Sequence, residues 1–394
     1  MRGKATVLER ATPRSWAGAR EAGAGRVRHL YVHVPFCAHR CGYCDFVTVV
    51  GQAAGHAAYV DALLAELELE RAVLAPRLET VYLGGGTPTF LVAEELERLL
   101  ASLPAAGEVT VEANPETVTP ALARLLARSG VGRVSLGVQT FDGRALRVLE
   151  RRAGPEDARH AVRELREAGF DNLSLDLLYG IPGQGADDLA RDLEQALTLA
   201  PEHLSCYELE AKPGTRFAHA FGAALAEQQE AMEDFFERVV GTLVGAGYRW
   251  YETASFCLAP ERAGGRDLRS RHNLAYWLGR DYLGLGVGAV STVDGVRRRN
   301  RPGLAAYLHA LGRGDSPPRE LEPLSAEVRA RERVMLGLRL DEPLALAGLE
   351  SAVDQRALAR LERLGLAERD GGRSVRLTTR GRFLGGAVTA ELLA

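Results

Sequence analysis

"HLYVHVPFCAHRCGYCDF", residues 29–46, is the stretch that decides the fold. Its short β-branched run predicts a strand, and three of the chain's five cysteines follow it within eight residues, at Cys37, Cys41 and Cys44. Cysteines spaced C-x3-C-x2-C in one loop can converge on a single inorganic centre. The other two, Cys206 and Cys257, lie far along the chain, so the loop has no fourth thiolate of its own.

The kind of metal centre depends on that missing ligand. A structural zinc site normally closes with four ligands, and His39 inside the loop is the candidate for the fourth, although the C-A-H-R-C spacing crowds it. We favour an iron–sulfur cluster over zinc. A [4Fe–4S] cluster on three thiolates leaves one iron without a protein ligand, and that iron can chelate a small molecule.

Composition excludes several classes of protein. The net charge of −3 gives no overall attraction to nucleic acid or to an anionic membrane surface. Clustered cysteines predict a reducing compartment rather than a disulfide framework. No apolar run approaches the roughly 18 residues of a membrane span, and the N-terminus lacks an apolar signal core. We therefore predict a cytoplasmic globular protein.

The order of elements predicts a parallel sheet. Short β-branched runs alternate with amphipathic helical segments, which means right-handed crossovers between parallel strands. Six such units predict a barrel or a partial barrel. The runs are LYVHV, TVYLGG, VTVEA, RVSLGV, NLSLDLL and HLSCYEL.

The pattern changes on either side of this barrel. Residues 1–28 predict a disordered arm, a translation start placed too early or, less favoured, a targeting segment; the barrel covers 29–224. An extension over 225–313 begins with a long helix at 227–247 and a strand RWYETA. A Pro-rich linker at 314–325 leads to a winged-helix-like domain over 325–394, with a hairpin turning at DGGR.

Polar and glycine signals fall at the predicted strand ends. In parallel barrels the chemistry lies on the loops after the carboxyl ends of strands. Here the cysteines follow strand one and GGGTPT, from Gly84, follows strand two. Glu112, Gln139 and Asp176 are predicted to end strands three, four and five. The sequence therefore predicts one shared site.

These features together resemble a known family. Tyr31, the cysteine array with Tyr43 before its last member, and GGGTPT resemble the radical S-adenosylmethionine (SAM) superfamily. Within it, the chain from residue 29 onward resembles the branch that contains oxygen-independent coproporphyrinogen III dehydrogenase and the haem chaperone HemW. The resemblance implies an α/β fold: a partial (β/α)6 TIM-like barrel, a C-terminal α+β extension and a small winged-helix-like domain.

The resemblance also implies cofactors and their ligands. The three cysteines would hold a [4Fe–4S] cluster whose open iron binds SAM, and an electron donor would reduce it. Glycines allow close approach of the backbone to a ligand, and Glu112 would accept hydrogen bonds from the ribose hydroxyls. Counting from Gln139 favours Arg151 over Arg152. The implied SAM contacts are Tyr31, Tyr43, Gly85, Gly86, Thr87, Glu112, Gln139, Arg151 and Asp176.

A second motif, RHNLAYW at 271–277, concerns haem. A histidine beside aromatic residues is more often a packing residue, but HNLAYW resembles the H-N-x-x-Y-W motif of the haem chaperone branch, which implies that His272 binds haem. The basic run GVRRRNR at 295–301 is either a partner for porphyrin propionates or a solvated charge run. Val290 stands where relatives have a histidine, which leaves a second haem contact open.

Carrier and enzyme remain as alternatives. A haem chaperone would bind haem and pass it to client apo-haemoproteins, with respiratory enzymes as recipients by resemblance. The dehydrogenase typically has an extra cysteine two residues past its third ligand and a longer N-terminal segment. This chain has Phe46 there, a low-complexity arm and HNLAYW, which favour the chaperone. A third interpretation is a radical SAM enzyme that acts on another tetrapyrrole.

Overall fold

The computed structural model describes residues 27–51, 53–210, 212–228 and 230–393. The arm predicted for residues 1–28 lies outside these ranges except for its last two residues. Of these, Val27 is buried and forms a parallel bridge with Leu74. None of the helices in the described ranges combines the length and the apolar character that crossing a membrane demands.

Strands and helices follow one another along the described part of the chain. The strands are β1 (His29–Val34), β2 (Phe36–Cys37), β3 (Val49–Val50), β4 (Leu78–Gly85), β5 (Ala106–Ala113), β6 (Arg133–Gln139), β7 (Leu173–Tyr179), β8 (His203–Glu208), β9 (Tyr248–Trp250), β10 (Ser255–Leu258), β11 (Leu283–Leu285), β12 (Val290–Val293), β13 (Val296–Asn300), β14 (Arg319–Pro323), β15 (Leu344–Ala345), β16 (Ala367–Asp370) and β17 (Ser374–Leu377). The helices are α1 (His56–Glu70), α2 (Ala93–Ser102), α3 (Pro120–Arg128), α4 (Gly143–Val148), α5 (Pro155–Glu167), α6 (Ala186–Thr198), α7 (Arg216–Gln228), α8 (Ala231–Gly245), α9 (Arg271–Trp277), α10 (Leu304–Gly312), α11 (Ala326–Gly337), α12 (Gln355–Arg363), α13 (Thr379–Phe383) and α14 (Gly385–Leu392).

A nine-stranded sheet, counted over the described residues, forms the centre of the molecule in the order β11-β1-β4-β5-β6-β7-β8-β10-β9. Strands β1 and β4 to β8 run parallel, in chain order, and α1 to α6 cross over between them. This arrangement confirms the α/β class and the partial (β/α)6 barrel.

Local sequence explains how the crossover helices begin and pack. In α3 the Thr119 hydroxyl accepts a hydrogen bond from the Leu122 N–H at 3.2 Å, and Pro120 occupies the first helical position, where no N–H is needed. Leu122, Leu125 and Leu126 lie three and four residues apart and are all buried against the sheet. Each such side chain contributes about 1.5–3 kcal/mol of transfer free energy.

Two parts of the predicted extension complete the sheet. Strand β11 pairs in parallel with the free edge of β1, and β10 pairs antiparallel with β8 and carries β9. The predicted strand RWYETA is therefore only half correct, because β9 ends at Trp250 and paired hydrogen bonds between Glu252 and Ser255 turn the chain into β10. The helix predicted at 227–247 is α8, which begins at Ala231, and residues 227 and 228 end the preceding helix α7.

The segment predicted as a linker also forms structure. Strand β14 lies within residues 314–325 and pairs with β13 in a sheet of order β12-β13-β14. Pro317 and Pro318 precede the strand and Pro323 ends it, and β14 is at the sheet edge, where proline is tolerated. Proline content alone therefore misled the prediction.

The C-terminal segment has the predicted winged-helix-like outline. Helix α12 leads into the β16–β17 hairpin, which turns at Gly371 and Gly372, and α13 and α14 follow. Its buried residues, from Val334 to Leu392, form a hydrophobic cluster of their own. The Arg382 guanidinium lies 3.6 Å from the ring centroid of Trp250, so the segment also packs on the edge of the central sheet.

Candidate cofactor site

A cavity of about 310 Å³ runs through the barrel, from the cysteine loop at the carboxyl ends of the strands to Arg133 and His203 at the amino ends of β6 and β8. Most of the predicted site residues line it. They are Cys37, Cys41, Tyr43, Cys44, Gly85, Gly86, Thr87, Glu112, Gln139, Arg151 and Asp176. Tyr31 and His272 are predicted site residues that do not line it.

The cysteine loop is anchored by the start of α7. The Phe217 N–H donates to the Gly42 carbonyl at 3.1 Å, and the Arg216 guanidinium donates to the Arg40 carbonyl at 3.1 Å. Within the loop, the Cys44 N–H donates to the Cys41 carbonyl at 3.2 Å and closes a turn. These bonds fix the backbone that carries the thiols at the mouth of the cavity.

Burial favours the neutral form of two of the three thiols. Burial raises the pKa of Cys37 to about 11, despite the Thr87 hydroxyl 3.4 Å from its sulfur, and burial also raises the pKa of Cys44. Arg151 Nη1 lies 3.8 Å from Cys41 Sγ. Thiols held protonated by burial become ligands when a metal centre displaces their protons.

A cluster also fits the spacing of the thiols. No three His, Cys, Asp or Glu side chains among the described residues are placed to hold one metal ion. The three cysteine ligands of a [4Fe–4S] cluster bind three different irons, so they do not need to meet at one point. The donor set is therefore compatible with a cluster.

The glycine run must lack side chains, because a side chain there would clash with neighbouring residues as well as block the approach of a ligand. Gly85 has φ +112°, and a Cβ there would lie 2.5 Å from the His33 ring; on Gly86 it would lie 2.6 Å from the Pro35 carbonyl oxygen. The Gly85 N–H and the Tyr82 hydroxyl donate to the two oxygens of Glu112, at 3.0 and 2.9 Å. The run thus orients the carboxylate predicted to accept from ribose.

Two buried carboxyl groups share the cavity. Burial raises the pKa of Glu112 to about 7, against the lowering effect of the Tyr82 hydrogen bond, and the nearby Asp176 raises it further. Burial raises the pKa of Asp176 to about 6, although the Ser135 hydroxyl donates to its oxygens at 3.1 Å. Asp176 was expected at a strand end but lies in the middle of β7, because the strand continues to Tyr179.

The raised pKa of Glu112 predicts a pH-dependent stability of the cofactor-free protein. The folded pKa, about 7, exceeds the value of about 4.3 in an unfolded chain, so this stability is present below pH 4.3 and is lost as pH rises toward 7. We expect the urea midpoint of wild type to fall across this window and Glu112→Gln to flatten the fall. The exposed Glu94→Gln is the control; equal slopes in all three proteins would contradict the assignment.

Arg151 connects the carboxyl ends of three strands. It donates through Nη2 to the Gly137 carbonyl at 2.7 Å and to Asn114 Oδ1 at 2.8 Å, and Asn114 donates to the Thr87 hydroxyl at 2.8 Å. Of the two adjacent arginines, Arg152 is exposed and Arg151 lines the cavity. Sequence reasoning missed Asn114, although its place directly after strand β5 was a usable signal.

Gln139 stores backbone strain at the same edge. Its φ of +71° is uncommon for a residue other than glycine, and the pairing of β6 with β7 is irregular between Gly137 and Gln139. Both Gly137 and Gln139 line the cavity at this irregularity.

The two predicted tyrosines have different places. Tyr43 lines the cavity and packs edge-on against Phe217, with 6.4 Å between ring centroids. Tyr31 lies behind Tyr82, with its ring stacked at 6.2 Å and its hydroxyl 3.1 Å from His33 Nδ1. Tyr31 therefore supports Tyr82, which in turn holds Glu112.

His272 is enclosed at the opposite end of the barrel from the cysteines. It is 1% exposed, with Nδ1 2.8 Å from the Thr80 hydroxyl and Nε2 2.9 Å from the Tyr276 hydroxyl. Burial lowers its pKa to about 3, so the ring is neutral. Since both ring nitrogens are engaged, iron ligation by His272 stays a prediction that requires α9 to move.

The basic run at 295–301 is not a solvated charge run throughout. Arg297 forms an ion pair with Glu332 at 2.6 Å, and the buried Arg298 lies 3.3 Å from Glu70. Both side chains bind neighbouring helices, which the sequence pattern could not reveal. In this conformation they are already paired with carboxylates and are not open to porphyrin propionates.

Comparison with known proteins shows the family of the chain. Residues 31–196 match the family model of the Radical SAM superfamily, and residues 324–384 match the HemN C-terminal domain. The Heme chaperone HemW of Mycobacterium tuberculosis strain H37Rv is 39% identical over 92% of this chain and 94% of its own length. That of Escherichia coli K12 is 37% identical over 66% and 68%.

A solved structure agrees with this placement. The HemN coproporphyrinogen III oxidase of Escherichia coli has a TM-score of 0.77 and 24% identity, and the match covers 93% of this chain and 90% of that chain. At that identity the likeness concerns the fold. The two HemW relatives show the family: the chain belongs to the radical SAM superfamily and, within it, to the family of the heme chaperone HemW.

Proposed function

We propose that this protein is a haem chaperone of the cytoplasm that binds haem and passes it to client apo-haemoproteins, and that it carries a [4Fe–4S] cluster with bound SAM. The choice of a carrier over the dehydrogenase rests on the residue at position 46. Phe46 stands where the dehydrogenase has its extra cysteine, and it is 59% exposed at the lining of the cavity. Likeness to chaperones over nearly the whole chain supports the same choice.

The cofactor site would work through residues already in place. Bound at Cys37, Cys41 and Cys44, the cluster would supply an open iron for the amino and carboxylate groups of SAM, and an electron from an external donor. Glu112, fixed by Gly85 and Tyr82, would accept from the ribose hydroxyls. This role needs an ionised carboxylate or at least a free acceptor oxygen, because a protonated carboxyl group has become a donor.

Because the pKa values of Glu112 and Asp176 are raised, the pH dependence of SAM binding tests the ribose role of Glu112. SAM affinity should increase as pH rises through the range of about 6 to 7, since Asp176 and Glu112 ionise there. We expect Glu112→Gln to lower SAM affinity about 10-fold at pH 8, consistent with the loss of a charge-assisted hydrogen bond. Equilibrium dialysis of the reconstituted protein measures this; unchanged affinity in Glu112→Gln would contradict the ribose role.

Haem binding is proposed at His272, with movement of α9. Because the ring nitrogens are bonded to Thr80 and Tyr276, haem association should be slower than free diffusion allows and should include a step independent of haem concentration. A haem titration followed by the Soret band, with stopped-flow mixing, measures both affinity and rate.

The variants for this titration distinguish two histidines. We expect His272→Ala to weaken haem binding at least 10-fold. His39, partly exposed in the cysteine loop and lining the cavity, is the comparison. Equal affinity of His272→Ala and wild type would overturn the ligand assignment, and a selective loss in His39→Ala would move the haem to the cluster end of the barrel. No haem binding by wild type would overturn the proposed function itself.

A further inference from the structure

The amino-terminal half of the cavity contains a second polar site. Arg133, the first residue of β6, is 2% exposed and lines the cavity. Its Nη2 donates to the carbonyl of Leu268 at 2.7 Å and to that of Arg269 at 3.3 Å. Its Nε and Nη1 have no hydrogen-bond partner among the described residues. The guanidinium is thus anchored on one side only.

A second residue with an unpartnered atom lies next to Arg133. Thr110 pairs directly with Arg133 in the register of β5 and β6, lines the same cavity and is 1% exposed. Within the part of the chain that the structure describes, its hydroxyl oxygen also has no partner. Buried polar groups in native proteins are almost always satisfied, so two neighbouring exceptions in one cavity indicate something that binds there.

The surrounding charges leave Arg133 incompletely neutralised. The carboxylate nearest to it is Glu108, 3.9 Å from Nη2, and its oxygens also accept from the backbone N–H groups of His272 and Arg271. His203 lies across the cavity with both ring nitrogens engaged, by Ser174 and Tyr251. Burial lowers the pKa of His203 well below its usual value, so it adds no charge.

We propose that Arg133 and Thr110 form a subsite for a carboxylate group of a second ligand, deeper in the barrel than the residues expected to hold SAM. A carboxylate offers one oxygen to either Nε or Nη1, which do not form a common fork, and its other oxygen to the Thr110 hydroxyl, and it neutralises the buried guanidinium. Ser270 and Asn273, which line the cavity from α9 and the loop before it, would bound the subsite. The proposal does not depend on haem binding at His272.

The test uses propionate as the probe and propionamide, which has nearly the same shape and no charge, as its matched control. The full-length protein is titrated with each by calorimetry. We expect propionate to bind and propionamide not to bind. Arg133→Gln should weaken propionate binding at least 10-fold and Thr110→Val about 3-fold, whereas Arg128→Gln, an exposed arginine on α3, should leave it unchanged.

Folding controls keep the result decisive. Arg133→Gln also loses its bonds to residues 268 and 269, so each variant is checked by circular dichroism, and Thr110→Val, which keeps side-chain volume, decides the outcome if Arg133→Gln unfolds. Propionate binding that is absent, or equal in wild type and both variants, would overturn the subsite. So would a crystal structure with propionate that shows only ordered water at Nε and Nη1.

A second arm distinguishes the source of the carboxylate. Haem has two propionate carboxylates, and its dimethyl ester has no free carboxylate. If a porphyrin supplies the group, the ester should bind more weakly than haem to wild type and as well as haem to Arg133→Gln. If the ester equals haem on wild type while propionate still requires Arg133, the ligand is a small free carboxylic acid.

Discussion

Cys41→Ala is expected to abolish assembly of the iron–sulfur cluster. The three thiols of the loop at the cavity mouth are the cysteines positioned for it, and the other two, Cys206 and Cys257, are buried in β8 and β10. A rigid core strand cannot bring its thiol to the loop, so neither can substitute. After anaerobic reconstitution, iron and sulfide content and visible absorbance measure the loss.

The matched control is Cys206→Ala, which removes a buried thiol outside the cavity. Burial raises the pKa of Cys206, so it behaves as a small apolar side chain. We expect the full iron content in this variant, with a stability loss of about 1 kcal/mol from the cavity left behind. A cluster that assembles fully in Cys41→Ala, or that fails in Cys206→Ala alone, would contradict the ligand assignment.

The second large effect is expected at Glu66, which fastens α1 to the three-stranded sheet β12-β13-β14 and to α10. This fully buried carboxylate accepts from the Gly286 N–H and the Tyr307 hydroxyl through one oxygen, at 2.8 and 2.7 Å. Its other oxygen accepts from Asn300 and Arg319, both at 2.8 Å. One side chain thus joins α1 to β13, β14, α10 and the loop after β11.

Glu66→Ala should lower the free energy of unfolding by about 3–5 kcal/mol, because it leaves Arg319 and three further donors buried with fewer acceptors. Glu66→Gln keeps one acceptor oxygen and should lose less. Glu68→Ala, on the same helix, removes an exposed ion pair with Arg71 and should change stability by less than about 0.5 kcal/mol. Chemical unfolding measures all three; equal losses at positions 66 and 68 would show that the network contributes little.

The sequence predicted the parts of the fold that depend on local pattern. Alternation of β-branched runs with amphipathic segments was enough for the parallel sheet. The strand-end rule located Glu112 and Gln139 at the cavity, and the cysteine spacing identified the loop at its mouth. Arg151 depended on the family resemblance, because nothing local distinguishes it from Arg152.

What the sequence could not predict depends on partners distant in the chain. The ion pairs of Arg297 and Arg298 are made with α11 and α1. His272 finds Thr80 on a strand 192 residues earlier. Alternate residues of the barrel strands, such as Thr110, Arg133 and Ser135, point into the cavity, whereas the runs that contain them look apolar. The closure of the sheet decides which face of each strand lines the cavity.

The barrel is expected to serve a haem carrier and not the decarboxylation of a porphyrin precursor. The most direct measurement is coproporphyrinogen turnover by the reconstituted protein, under reducing conditions with SAM, beside transfer of bound haem to an apo-haemoprotein. We expect haem transfer and no conversion of coproporphyrinogen to protoporphyrinogen. Conversion at a rate above that of the Cys41→Ala variant, without haem transfer, would contradict it.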